Sequence, residues 1–237
     1  MNVNDIKVKI FADGADKAGM LEMYGKSWVK GFTTNPTLMK KAGVKDYESF
    51  AREIIEAIPD RPISFEVFCD DFSEMERQAL HISQWGSNVY VKIPVTNTLG
   101  KSACSLIKRL ADAGVKQNVT AIMTLRQVID VSQALANGPS SYVSVFAGRI
   151  ADTGKDPLPL MAAAVELLKS YPQQELIWAS PRELLNIIHA ESIGCHIITV
   201  TNDILNKLGN LGKNLDDFSL ETVKMFHNDA IQAGFRV

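Results

Sequence analysis

Val89-Tyr90-Val91-Lys92-Ile93-Pro94-Val95 is an apolar, β-branched run that carries a single lysine. A continuous run of this kind reads as a strand covered on both faces, which is how strands of parallel sheets are built. Lys92 can lie at a frayed strand end, with its stem buried and its head in water. Alternatively it is enclosed, and an unpaired ammonium in an apolar interior costs several kcal/mol. An enclosed lysine therefore needs a carboxylate partner or becomes a neutral amine, which is a nucleophile.

Outward from this strand, short β-branched runs alternate with longer amphipathic segments, and no Pro/Gly/Ser-rich linker interrupts them. Eight runs can be counted: Val8–Ala12, Trp28–Thr33, Pro62–Val67, the Lys92 run, Gln117–Ile122, Tyr142–Ala147, Leu176–Ala179 and Cys195–Val200. Helical segments are expected at Ala15–Tyr24, Tyr47–Ala57, Glu74–Trp85 with Ser73 as cap, Gly100–Ala113, Thr124–Ala136 and Pro157–Lys169. Three more follow: one to Ser192 with Pro181 in its first turn, one near Asp203–Leu208, and a tail helix over about Leu220–Ala233. Eight βα units in 237 residues predict a single (β/α)8 TIM barrel spanning 1–237, with a C-terminal helical extension from about 215 to 237. An open doubly wound sheet is weakened by the lack of a GxGxxG turn.

With 25 basic and 27 acidic residues and a formal charge of −2, the composition points away from nucleic acid as a partner. No apolar run approaches the roughly 18 residues of a membrane span. The polar start Met1-Asn2-Val3-Asn4-Asp5 lacks a signal peptide's apolar core, so a cytoplasmic protein without a membrane partner is expected. Cys69, Cys104 and Cys195 are widely separated and read as reduced thiols. His81, His189, His196 and His227 form no HxH or HExxH pattern, so no bound metal is expected.

Barrel catalysis is built from side chains at the C-terminal ends of strands. Asp13 follows the first run; Thr33, Thr34 and Asn35 follow the second; Glu66 closes the third, and Lys92 is on the fourth. Asn118 and Thr120 lie on the fifth, Ser144 and Arg149 on the sixth and its loop, and Ser180 and Arg182 beyond the seventh. Singly, each has an ordinary explanation: Asp13 as a helix cap, or Asn35 before Pro36 as a turn residue. Together they would place a lysine, two carboxylates, two amides, several hydroxyls and two arginines at one mouth, which packing does not explain.

Four stretches resemble the transaldolase family in order: Phe11-Ala12-Asp13-Gly14-Ala15-Asp16, Thr33-Thr34-Asn35-Pro36-Thr37, Val91-Lys92-Ile93-Pro94-Val95-Thr96 and Gly148-Arg149-Ile150. The resemblance covers nearly the whole chain and is nearest the short subfamily that includes the fructose-6-phosphate aldolases. It implies that Lys92 forms an imine with a ketose phosphate. Glu66 would move protons through a water held with Thr120, and Asp13 would take the proton of the C4 hydroxyl. It implies substrate contacts from Thr33, Asn35, Asn118, Ser144 and Phe146, and phosphate binding by Arg149, Ser180 and Arg182, without a cofactor.

Within that family the fructose-6-phosphate aldolases carry Gln and Tyr where this chain has Glu66 and Phe146. Transaldolases carry Glu and Phe. A phenol at the second position could protonate the enamine and release it, so Phe146 favours transfer of the three-carbon unit to an aldose phosphate over its release as dihydroxyacetone. Two departures bear on the sugar accepted: Gly14, where a hydroxyl residue usually follows the aspartate, and the bulky Trp178. A non-catalytic phosphosugar-binding barrel would have no need of Lys92, Glu66 and Asp13 together, and a metal-dependent aldolase would need histidines at strand ends. The tail Leu220-Glu221-Thr222-Val223-Lys224-Met225-Phe226 has one apolar face. The resemblance implies that it reaches a neighbour in a homo-oligomer, a pentamer or decamer of this chain.

Overall fold

The computed structural model describes residues 3–236; the polar start at Met1 and Asn2 lies outside the described residues, as does Val237. Eight parallel strands close into a barrel in sequence order. They are β1 (Lys9–Asp13), β2 (Val29–Thr33), β3 (Ile63–Glu66), β4 (Val89–Pro94), β5 (Gln117–Ile122), β6 (Ser141–Val145), β7 (Gln174–Trp178) and β8 (Ile197–Thr201). Around them lie α1 (Lys17–Tyr24), α2 (Pro36–Lys41), α3 (Tyr47–Ala57), α4 (Phe72–Ser83), α5 (Cys104–Asp112) and α6 (Leu125–Leu135). The set continues with α7 (Ala147–Ala151), α8 (Leu158–Leu168), α9 (Leu185–Ser192), α10 (Asn202–Leu205) and α11 (Leu215–Gln232).

Because side chains alternate across a strand, each strand splits into an outward set under the helices and an inward set. Val91 and Ile93 belong to the broad apolar layer between barrel and helices. Tyr90 belongs to a separate cluster with Phe11, Tyr142, Ile177, Ala179 and Ile197. Tyr90 and Tyr142 stack at 4.1 Å, and Phe11 meets Tyr142 edge-on at 5.7 Å. Gly31 makes room for Phe11, since a Cβ there would lie 2.6 Å from its ring. This plug fills the lower barrel. Two residues further along the same strands come Asp13, Lys92 and Ser144, so the period of two that buries the plug also delivers polar groups to the mouth.

Several expected boundaries move for local reasons. Asp71, not Ser73, caps α4 by accepting from the amides of Ser73 and Glu74. The segment from Gly100 is not helical: Gly100 has φ +74°, and Thr96 bridges Ser102, so α5 begins only at Cys104. Pro181 precedes α9 rather than opening it, because Ser180 has φ +60° and turns the chain before the helix starts. Asn214 caps α11 five residues earlier than the apolar pattern alone suggests. The short α2 and α7 follow Asn35 and Phe146 and were not expected. Among the described residues no helix is long and apolar enough to cross a membrane. None of the residues of α11 is buried, and Leu220, Val223, Met225 and Phe226 stand exposed along it.

Candidate active site

Strand register assembles the site. Pairing of β3 with β4 sets Glu66 beside Lys92, and pairing of β4 with β5 sets Lys92 beside Asn118 and Pro94 beside Thr120. On the other side, Asp13 pairs with Thr33 and Thr201. The inward groups face a cavity of about 530 Å³ at the C-terminal mouth. All twelve residues expected at the site line it: Asp13, Thr33, Asn35, Glu66, Lys92, Asn118, Thr120, Ser144, Phe146, Arg149, Ser180 and Arg182.

Lys92 is 7 % exposed, so the frayed-end alternative fails. Its Nζ donates to the Thr34 carbonyl at 2.8 Å and lies 3.3 Å from Glu66 Oε2. Glu66 is itself held through its backbone: its N–H donates to the Tyr47 phenol oxygen at 2.7 Å, and the phenol O–H donates to its carbonyl at 3.0 Å. Burial pushes the Tyr47 phenol well above its ordinary range, which keeps it a neutral donor. Asp13 accepts from Thr33 Oγ1 at 2.7 Å and from Asn35 Nδ2 at 3.4 Å. Burial raises the Asp13 carboxyl above its ordinary range; the Lys92 charge and the Thr33 hydrogen bond oppose this, and the Glu66 charge adds to it. The cap of α1 is Asp16 rather than Asp13.

Other groups are committed to one another. Asn118 donates to Ser64 Oγ at 2.9 Å and accepts from Ser144 Oγ at 2.6 Å. Asn35 Oδ1 caps α2 by accepting from the Leu38 amide at 2.9 Å. Thr33 Oγ1 also shares a short hydrogen bond with Thr199 Oγ1. Thr120 Oγ1 is buried without a hydrogen-bond partner among the described residues. Arg182 forks onto Asp152, with Nε 3.0 Å from Oδ1 and Nη2 against Oδ2. Arg149 sits over the Phe146 ring at 5.7 Å. Trp178 lies outside the cavity: it is fully buried on the outward face of β7, 6.2 Å from the His189 ring, because alternation gives the inward positions to Ile177 and Ala179.

Thr34, already among the polar strand-end residues of the sequence, holds the Lys92 amine; Tyr47, Ser64, Asp152 and Thr199 complete the arrangement without having been singled out in the sequence. Ser64 and Thr199 carried a readable signal, being polar residues at inward parity in apolar strands. Tyr47 carried none, since it reaches Glu66 from the start of a helix. The two described non-glycine residues with positive φ, Ala121 (φ 62°) and Ser180 (φ 60°), both line the cavity, a backbone cost of about 1–3 kcal/mol each. Among the described residues no group of three or more His, Cys, Asp or Glu is arranged to hold a metal ion. Cys195 lies in the core, where burial pushes its thiol up to about 12.

α7, which carries Arg149, meets the loop that carries Arg182 at Gly148. A Cβ there would fall 1.5 Å from the Ser180 carbonyl oxygen, a backbone atom that cannot step aside cheaply. Gly148→Ala is expected to force the helix and the loop apart and lower stability by about 1–3 kcal/mol, roughly 2–12 °C in Tm by thermal denaturation. An unchanged Tm would contradict this packing.

A closed (β/α)8 barrel with an enclosed strand lysine paired to a carboxylate at its catalytic mouth defines the class. The family described as Transaldolase/Fructose-6-phosphate aldolase matches over residues 10–236, and the chain belongs to that family. A "Probable transaldolase" of Methanococcus maripaludis strain C7 is 35 % identical over 204 residues, 86 % of this chain and 90 % of the relative. One of the same description from Thermoanaerobacter sp. strain X514 is 32 % identical over 231 residues, 97 % of this chain and 100 % of the relative. Among solved structures, dihydrodipicolinate synthase from Rhodopseudomonas palustris superposes with a TM-score of 0.58 at 12 % identity, covering 98 % of this chain and 82 % of that one. KGPDC from Streptococcus mutans gives 0.56 at 11 %, covering 82 % and 88 %. At such identities these two structures show the barrel alone.

Proposed function

We propose that the protein is a Schiff-base transaldolase that moves a dihydroxyacetone unit from a ketose phosphate, such as fructose 6-phosphate or sedoheptulose 7-phosphate, to an aldose phosphate. The observation that carries this is the enclosed Lys92 amine, 2.8 Å from the Thr34 carbonyl and 3.3 Å from Glu66, in one cavity with Asp13, Arg149 and Arg182. Family membership supports the same reading.

Lys92 passes a proton toward Glu66, and the freed nitrogen pair attacks the C2 ketone. The carbinolamine loses its oxygen as water, protonated by Glu66 through a water that would also give Thr120 Oγ1 a partner. Asp13 takes the C4 hydroxyl proton; the C3–C4 bond breaks, and its electron pair flows into the imine to make an enamine as the aldose phosphate leaves. Asn35, Asn118, Thr33 and Ser144 hold the hydroxyls of the three-carbon unit, with the Asn118–Ser144 bond opening to admit them. Arg149, Ser180 and the free side of the Arg182 fork receive the phosphate. Phe146 offers no proton to the enamine, which therefore waits for an acceptor. The enzyme works without a metal or cofactor in the cytoplasm, as a homo-oligomer joined through the exposed apolar residues of α11.

The test is acceptor dependence. Fructose 6-phosphate should be consumed steadily only when erythrose 4-phosphate is supplied, with sedoheptulose 7-phosphate as product. Equal turnover without acceptor, with free dihydroxyacetone accumulating, would make the enzyme a lyase.

A further inference from the structure

Asp13 lines more than the Lys92 cavity. A second cavity of about 500 Å³ lies beside that carboxylate, between the end of β1, α2 and α10, and shares Asp13, Leu38, Thr201 and Asp203 with the first. Its other walls include Gly14, Asp16, Lys41, Ala42 and Asn202. Gly14 alone among these five was tied to the sugar by the sequence; the other four were assigned no part in the site.

The two cavities differ in charge. The first sets Lys92, Arg149 and Arg182 against Asp13, Glu66 and Asp203. The second is lined by Asp13, Asp16 and Asp203 and by Lys41, the only cation among its described lining residues. A phosphate dianion would be repelled there, whereas hydroxyl groups would find carboxylate acceptors and the Asn202 amide. Gly14 keeps the space open: a Cβ at that position would touch nothing nearer than Met20 Cγ at 4.0 Å. Asp13, the group assigned to the proton of the reacting oxygen, borders both spaces. An aldehyde beside it can therefore extend its chain toward the arginines or away from them.

We propose that the second cavity is an acceptor subsite for the uncharged polyhydroxyl chain of an unphosphorylated aldose. This rests on the transaldolase reading. The enamine carbon forms a bond to the aldehyde carbon, the C=O π pair moves to oxygen, and that oxygen takes the proton from Asp13. The resulting imine adds water and releases the longer ketose, returning the Lys92 amine. Phosphorylated acceptors use the arginine arm, and neutral ones the arm beside Gly14.

Gly14→Thr would fill this arm from the β1 side, and Ala42→Phe, at an exposed position, from the α2 side. With fructose 6-phosphate as donor, both variants should lower kcat/KM for D-erythrose at least tenfold and leave erythrose 4-phosphate within twofold. If both acceptors slow alike, or if neither variant changes D-erythrose, the subsite is not there. Binding of the unreactive polyol erythritol, followed by saturation-transfer NMR, decides the matter without turnover. Binding to the wild type that is lost in Gly14→Thr supports the subsite; equal binding to both, or none to the wild type, overturns it. Borohydride trapping of fructose 6-phosphate on Lys92 reports separately on the underlying reading, so failure of one is distinguishable from failure of the other.

Discussion

Lys92→Met is expected to abolish transfer, lowering kcat by about 10⁴-fold or more, as loss of a covalent nucleophile does. Met matches the length and apolar stem of lysine, so the strand can keep its packing. The change is not free of cost, because Glu66 loses its ion-pair partner and the Thr34 carbonyl loses its donor. Removing one member of a fully buried pair costs about 3–5 kcal/mol. The two side chains here keep 9 % and 17 % exposure, so the loss should be smaller and a folded barrel should remain. Adding Glu66→Gln to Lys92→Met removes the stranded charge and should recover part of the lost Tm without restoring turnover. Residual turnover within tenfold of wild type in folded Lys92→Met would show that another group carries the chemistry.

Asp13→Asn should lower turnover by about 10²–10⁴-fold, the range of a lost general acid–base group, while making the protein more stable at neutral pH. Both effects follow from burial. On the proposed mechanism Asp13 must be ionised to accept the C4 hydroxyl proton, and burial raises its carboxyl above the ordinary value of 3.8, so the acid limb of kcat/KM should lie above the pH of an exposed aspartate. A carboxyl whose folded pKa exceeds its unfolded one binds its proton more tightly when folded. Its ionisation therefore subtracts stability as pH rises through that window, and the penalty vanishes below the unfolded value. Asn carries no such penalty. Tm of Asp13→Asn should exceed wild type at pH 7 and converge with it in strong acid. A variant less stable than wild type at pH 7 would contradict the assignment of burial as the dominant influence on Asp13.

The barrel was legible because its signal is repetitive. Eight β-branched runs each satisfy the same alternation, and an error of one or two residues at an end leaves the count intact. Seven of the residues that line the mouth, Asp13, Thr33, Glu66, Lys92, Asn118, Thr120 and Ser144, were legible for a related reason: a polar side chain at inward parity near a strand's end has nowhere to go except the mouth. Pairings between loops were not. Asp152 and Arg182 stand thirty residues apart and meet because Gly148 lets α7 touch the loop after β7, a contact that no periodicity encodes. Tyr47 likewise reaches Glu66 from a helix start. Trp178 shows the opposite hazard. Its size and nearness to Ser180 suggested a place in the substrate pocket, but the parity of β7 turns it outward under α9. The caps shifted because Asp71 and Ser73 are both competent cap residues, and packing chose the first.

The central claim is that Lys92 becomes covalently attached to the ketose during turnover. Incubation of the wild type with fructose 6-phosphate and borohydride, followed by intact mass and peptide mapping, tests it directly. One reduced three-carbon adduct per chain, located on the peptide containing Val91-Lys92-Ile93 and absent without sugar, is the predicted result. No adduct, or an adduct on any other lysine, would contradict it.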